Sequence, residues 1–166
     1  MIGDRPSLDQ ALSGRRRARR VLDLLEGWAL VGVMASALSA DRQRELVGRL
    51  RQSPLHHMPD RTVSSPDGMA DAVADFAAGR DMVVLVGWHV DEEPALMLSF
   101  RALIRALPHL RTVHPDGFVL LDQPLGAALF VDFDADDPAR VLVDRLTLHP
   151  VRVGQGPPSR RAHDPQ

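Results

Sequence analysis

The stretch "DMVVLVGWHVDEEPALMLSFRALIRALP", Asp81 to Pro108, decides the fold. Its first ten residues are rich in Val and Leu, too short for a helix of ordinary length and bounded by polar residues, so they read as a strand. "DEEP" supplies the turn, and "ALML" is short and apolar enough to come back beside the first strand. Ser99 then stands where a helix cap belongs, ahead of "FRALIRAL", and Pro108 ends that helix. Strand, acidic turn, returning strand and capped helix define a local unit that is neither all-helical nor a βαβ crossover.

Downstream the pattern stays that of an antiparallel sheet. "HPDG", His114 to Gly117, is turn chemistry, with Pro pre-setting φ and Gly closing the turn. "FVLLD", the turn "QPLG" and "AALFVDFD" form a hairpin, and "RVLVDRLTLHPV" reads as the last strand. From Gly154 to Gln166 the chain is polar and rich in Pro and Gly, with nothing to bury, and is expected to be disordered.

Upstream the texture changes to helical. Ser65 caps a helix with Pro66 in its first position, running to Ala78 and stopped by Gly79. "QSPLHHMPDRTVSSPD" before it reads as loop. Ser7 and Gln10 have capping-box spacing. Leu8, Ala11, Ala18, Leu22 and Leu25 recur at helical intervals, with Ser13-Gly14 a potential break and Gly27 the expected end. "WALVGVMASAL", Trp28 to Leu38, suits a buried helix or a buried strand. Its Ala, Met and Leu content and the following "LSADRQRELVGRL" favour helix–turn–helix, with Ser39 as the cap. The expected architecture is α+β: one domain over residues 1–153, with a helical N-terminal half packed on a mostly antiparallel C-terminal sheet.

Composition removes several chemistries. The 166 residues include no cysteine, which excludes disulfides, thiolate catalysis and zinc–thiolate sites. All 20 basic residues are Arg, so neither a Schiff-base lysine nor a P-loop lysine exists. There is no G-x-S-x-G and no P-loop, and the "GQG" at Gly154 runs into Pro-Pro-Ser rather than opening a helix. The longest apolar run has thirteen residues, where a membrane span needs about twenty. The polar start "MIGDRPSLDQ" lacks the order of a secretory signal. A cytoplasmic protein without a membrane partner is expected.

The net charge of −2 is unevenly spread: residues 1–52 hold ten Arg against six acids, and residues 53–150 hold seven Arg against fifteen. In the acidic part, "LFVDFDADD" ends an apolar run in Asp132, Asp134, Asp136 and Asp137. Alternate strand residues share a face, so three of these carboxylates could converge on a hard cation. As a calcium loop, however, the stretch has Asp137 where Gly is needed and Val143 where the closing Glu belongs. No metal and no cofactor are expected, and the turn reads as a solvated strand end.

Arg15 to Arg20 holds five arginines in six residues and could meet nucleic-acid phosphates. With 4% aromatics and no Tyr there is little to stack bases on, so nucleic-acid binding is not expected and a solvated helix flank is. Of the histidines, His56 and His57 are adjacent in a loop, and His109 and His114 have no metal-binding spacing. His89 follows a strand and precedes Asp91, Glu92 and Glu93, which would favour its protonated form if they face it.

From Val83 to Asp134 the order of elements resembles small bacterial α+β domains of toxin-immunity proteins. Such proteins bind and block a partner enzyme, often through a variable acidic surface because the toxin is frequently a basic nuclease. The resemblance implies a non-enzymatic binding module with a basic protein as partner; it carries over no family residues, and the acidic residues Asp91, Glu92, Glu93, Asp132, Asp134, Asp136 and Asp137 of this sequence are expected to form the contact face. A metal-dependent hydrolase using the Asp132, Asp134 and Asp136 cluster with His89 is the alternative, and a nucleic-acid-associated factor using Arg15 to Arg20 the third.

Overall fold

The computed structural model of the chain describes residues 8–52 and 62–148. His56 and His57, the cap at Ser7, and the expected tail from Gly154 lie outside them. The element order is α1 (Leu8–Leu30), β1 (Ala35–Ala37), α2 (Ala40–Gln52), β2 (Thr62–Ser64), α3 (Pro66–Ala77), β3 (Met82–Gly87), β4 (Leu96–Ser99), α4 (Phe100–Ala106), α5 (Leu110–Val113), β5 (Gly117–Asp122), β6 (Ala127–Phe133) and β7 (Val141–Thr147). The seven strands form one sheet in the order β1-β4-β3-β5-β6-β7-β2, and every pairing is antiparallel. The fold is α+β, with helices concentrated in the N-terminal half.

The strands with no polar alternation are buried on both faces, as their composition demands. Val83, Leu85, Phe118, Leu120, Leu129 and Val131 point to one side and join Trp28 of α1, Val73 and Phe76 of α3, Leu103 of α4 and Leu110 of α5. Val84, Val86, Val119, Leu121 and Phe130 point to the other, where Leu46 and Leu50 of α2 cover them. Four helices therefore lie on one face and α2 alone on the other.

Caps follow the sequence. Ser65 Oγ accepts from Gly68 N and Ser99 Oγ from Ala102 N, while Pro66 opens α3 and Gly79, at φ +72°, leaves it. Ser39 Oγ accepts from Arg42 N at the start of α2.

Three local expectations are corrected. Helix α1 runs unbroken through Ser13-Gly14 and Gly27, because Trp28 is fully buried and holds the last turn against the sheet. The chain leaves that helix at Gly32 instead, with φ +75°. The stretch Trp28 to Leu38 is not helix–turn–helix: its end, Ala35–Ala37, adds a strand to β4. Thr62–Ser64, inside the expected loop, pairs with β7 as the other edge. Helix α4 ends at Ala106, ahead of Pro108 as expected, and a 3₁₀ turn over Leu107–His109 leads into the short α5.

Candidate functional site

Strands β3 and β6 both pair antiparallel with β5, which lies between them, so they run parallel to each other. The amide of Trp88 donates to Gly117 O at 3.2 Å, and Gly117 is level with Asp132 in the next strand. The turn after β3 and the turn after β6 therefore leave the same end of the sheet, two strand spacings or about 10 Å apart. This rim holds all seven acidic residues singled out in the sequence.

The first turn is tied down by distant elements. Gln43, buried on α2, donates from Nε2 to Glu93 O at 2.9 Å and accepts the Ala95 amide on Oε1 at 2.7 Å, bracketing Pro94. Arg51 of α2 meets Asp91 at 2.9 Å. Arg20 of α1 donates to Glu92 O at 3.0 Å and lies 3.9 Å from the Glu92 carboxylate.

Glu93 turns inward. Its Oε2 is 3.3 Å from Nδ1 of His114, which is only 4% exposed and whose ring lies 6.1 Å from that of Trp28. A Cβ on residue 87 would fall 1.5 Å from Glu93 Oε2, so glycine there makes the space that the carboxylate fills. Burial pushes the Glu93 carboxyl up, but the hydrogen bond and charge of His114, with the backbone N–H and charge of His89, outweigh it and hold the pKa below its ordinary value. His89 itself is exposed and 3.4 Å from Asp116.

The second turn is tied mainly to itself. Asp134 Oδ1 accepts the amides of Asp136 and Asp137 at 2.9 and 3.3 Å, and Asp137 Oδ1 accepts that of Ala139 at 3.0 Å. These are the local side-chain turns that Asp favours. Arg140 lies 3.6 Å from Asp134, and Arg111 donates to the carbonyls of Asp134 and Pro138. Asp136 and Asp137 are exposed, and no arginine among the described residues pairs with either carboxylate. Because Asp134 spends its carboxylate on the turn, the cluster does not converge on one point. Among the described residues no group of three His, Asp or Glu is placed to hold a metal ion.

The sequence singled out His89 and the acidic residues, which the structure brings to one end of the sheet, but not Gln43, His114 and Trp28, which position the first turn. Their only local signals are those of an ordinary helix residue, a turn residue and an apolar run. The arginine run of α1 faces the same turn across a cleft of about 550 Å³ lined by Arg16, Arg17, Arg19 and Arg20 on one side and Asp91, Glu92 and Glu93 on the other. An adjoining cleft of about 400 Å³ has Leu24, Pro94 and Val113 in its walls. No helix among the described residues is long and apolar enough to cross a membrane. Comparison of the chain with protein-family models, curated proteins and solved structures finds no match.

Proposed function

We propose that the protein is a non-enzymatic binding module of the cytoplasm, an immunity or accessory factor of the toxin-immunity type, which presents an acidic rim to a basic partner protein. One observation supports this reading above the others: the parallel course of β3 and β6 puts both acidic turns on one end of the sheet. The two turns contribute unequally. Arg20, Arg51 and His114 partly neutralise Asp91 to Glu93, so the contact centres on Asp136 and Asp137. Concentrated charge of this kind accelerates encounter with a basic surface and disfavours wrong partners more than it adds affinity.

The test is capture by the tagged full chain from a cell lysate at low salt, repeated with Asp136→Asn and Asp137→Asn together. A basic protein held in stoichiometric amount by the wild type should associate several-fold more slowly with the variant and dissociate at nearly the same rate. An association rate that the substitutions leave unchanged, or a captured protein that is acidic, overturns the reading.

A further inference from the structure

The sheet ends in two short edge strands, and the sequence guards only one of them. Around β2 it places Asp60 and Arg61 before the strand and Pro66 and Asp67 after it, the charges and proline that keep an edge from pairing. Around β1 there is neither charge nor proline from Gly27 to Ala40. That run leaves Leu30 88% and Met34 80% exposed, more than any other large hydrophobic among the described residues. Among those residues nothing pairs with the outer side of β1. Val33 and Ala35 pack into the four-helix face of the sheet and Leu38 into the α2 face. By strand alternation Met34, Ser36 and Leu38 therefore share the α2 side.

The backbone of this edge is complementary to itself. Leu38 N donates to Ala95 O, just ahead of β4, at 2.8 Å. Every second residue of the ladder does the same, so Ser36 turns its polar groups inward while Ala35 and Ala37 turn theirs out. A second β1, antiparallel and centred on Ser36, exchanges both bonds of each Ala35 with Ala37 of the other copy. Any other centre leaves one of these alanines without a strand partner. Centred there, Met34 of each copy lies across from Leu38 of the other as a close, non-hydrogen-bonded pair. Leu38 lines a cleft of about 340 Å³ whose floor is Ala37, Val84 and Met97, with Ser39, Arg42 and Gln123 at its side. Arg42 is already held by Glu45 and the Gln123 carbonyl, so the cleft suits an apolar knob rather than a charge. An unbranched thioether side chain fills such an irregular gap well.

We infer that the protein forms a two-fold homodimer, in which β1 of each copy pairs antiparallel about Ser36 and Met34 of each enters the Leu38–Met97 cleft of the other. A two-fold contact sets each residue near the axis against its own twin, and like charges there would repel, so an uncharged edge is what it requires. With its flanks β1 spans about 20 Å. Helix α1 packs on one side of it and the cleft opens on the other, which makes the edge about 25 Å thick. Each copy thereby covers about 500 Å², or about 1,000 Å² in total, the lower bound for a specific pair. A dissociation constant in the micromolar range follows. The inference stands apart from the acidic-rim reading, since β4, β3 and β5 lie between β1 and β6.

Sedimentation equilibrium of the full chain, from about 1 to about 300 µM, tests it. The mass should rise from 18.3 kDa to twice that value, with a Kd below about 100 µM. Met34→Glu should weaken the dimer about tenfold or more, while Val63→Glu on the β2 edge leaves it unchanged. Both side chains are exposed, so circular dichroism should match the wild type in each variant. Ser36→Cys gives this cysteine-free chain a single thiol on the axis, about 4.5 Å from its twin between Cα atoms and within disulfide reach. Mild oxidation should turn most of that variant into covalent dimer, with Val63→Cys crosslinking at least about tenfold more slowly. Four results overturn the inference. They are a monomer at every concentration, masses that grow past the dimer as head-to-tail joining of β1 to β2 would give, equal losses in the two Glu variants, and Ser36→Cys crosslinking no faster than Val63→Cys.

Discussion

The two acidic turns of the rim look alike in sequence and are built in opposite ways. Asp91 to Glu93 is anchored from α1, α2 and the end of α5, through Arg20, Gln43, Arg51 and His114. Asp134 to Ala139 is shaped chiefly by its own aspartates folding back on nearby amides, with Arg111 and Arg140 as outside support. A turn fixed by distant partners is a rigid surface whose charges are already matched. A turn fixed by itself leaves charges open to solvent or to another molecule. Acidic composition alone therefore does not say which carboxylates are free to make contacts.

The difference should appear first in stability. Gln43→Leu removes both bonds around Pro94 and leaves the buried Ala95 amide without its partner, so denaturant unfolding should show a loss of about 2–3 kcal/mol. Asp134→Ala removes two local bonds in an open turn and should cost about 1 kcal/mol. Equal losses would mean that the second turn is as firmly integrated as the first.

Acid should separate the turns next. The folded protein holds the Glu93 carboxyl below its ordinary value of 4.5, so in that range the unfolded chain binds more protons. The stabilisation is complete above that value and is lost as the pH falls through the lowered folded value. Glu93→Gln should be less stable near neutral pH by about 1 kcal/mol and should lose less than the wild type between neutral pH and the acid range. A wild-type pH profile that Glu93→Gln reproduces would remove the inward-turned carboxylate from the account.

The smallest effect sharpens the comparison by its absence. Arg51 and Asp91 are both largely exposed, and Arg51→Gln should change unfolding stability by less than about 0.5 kcal/mol. A loss approaching that of Gln43→Leu would show that surface charge, rather than the buried amide bridge, holds the first turn.

Much of the fold was legible because its signals are local. The caps at Ser65 and Ser99, the stop at Gly79, and the hairpin from Gly117 to Phe133 each depend on a few neighbouring residues and were read correctly. The edge strands Ala35–Ala37 and Thr62–Ser64 were missed because each is only three residues long, "ASA" has little strand character, and "TVS" lies among prolines and serines that signal a loop. They are strands because β4 and β7 offer open backbone edges to them. Gly27 was misread for a related reason: packing of Trp28 outweighs the roughly 1 kcal/mol that an interior glycine costs a helix.

The sequence by itself determined the class of the protein, the strands around Asp81 to Pro108, and the candidates Asp91 to Glu93 and Asp132 to Asp137, because composition, period-two burial and capping act over a few residues. Only the tertiary structure decided that β5 would come between β3 and β6 and so align the two turns. It alone set Gln43, His114 and Arg20 against the first turn and left Asp136 and Asp137 outside. Those outcomes depend on strand order and on contacts across as many as 72 residues of chain, and no local propensity encodes which partner a distant side chain will meet.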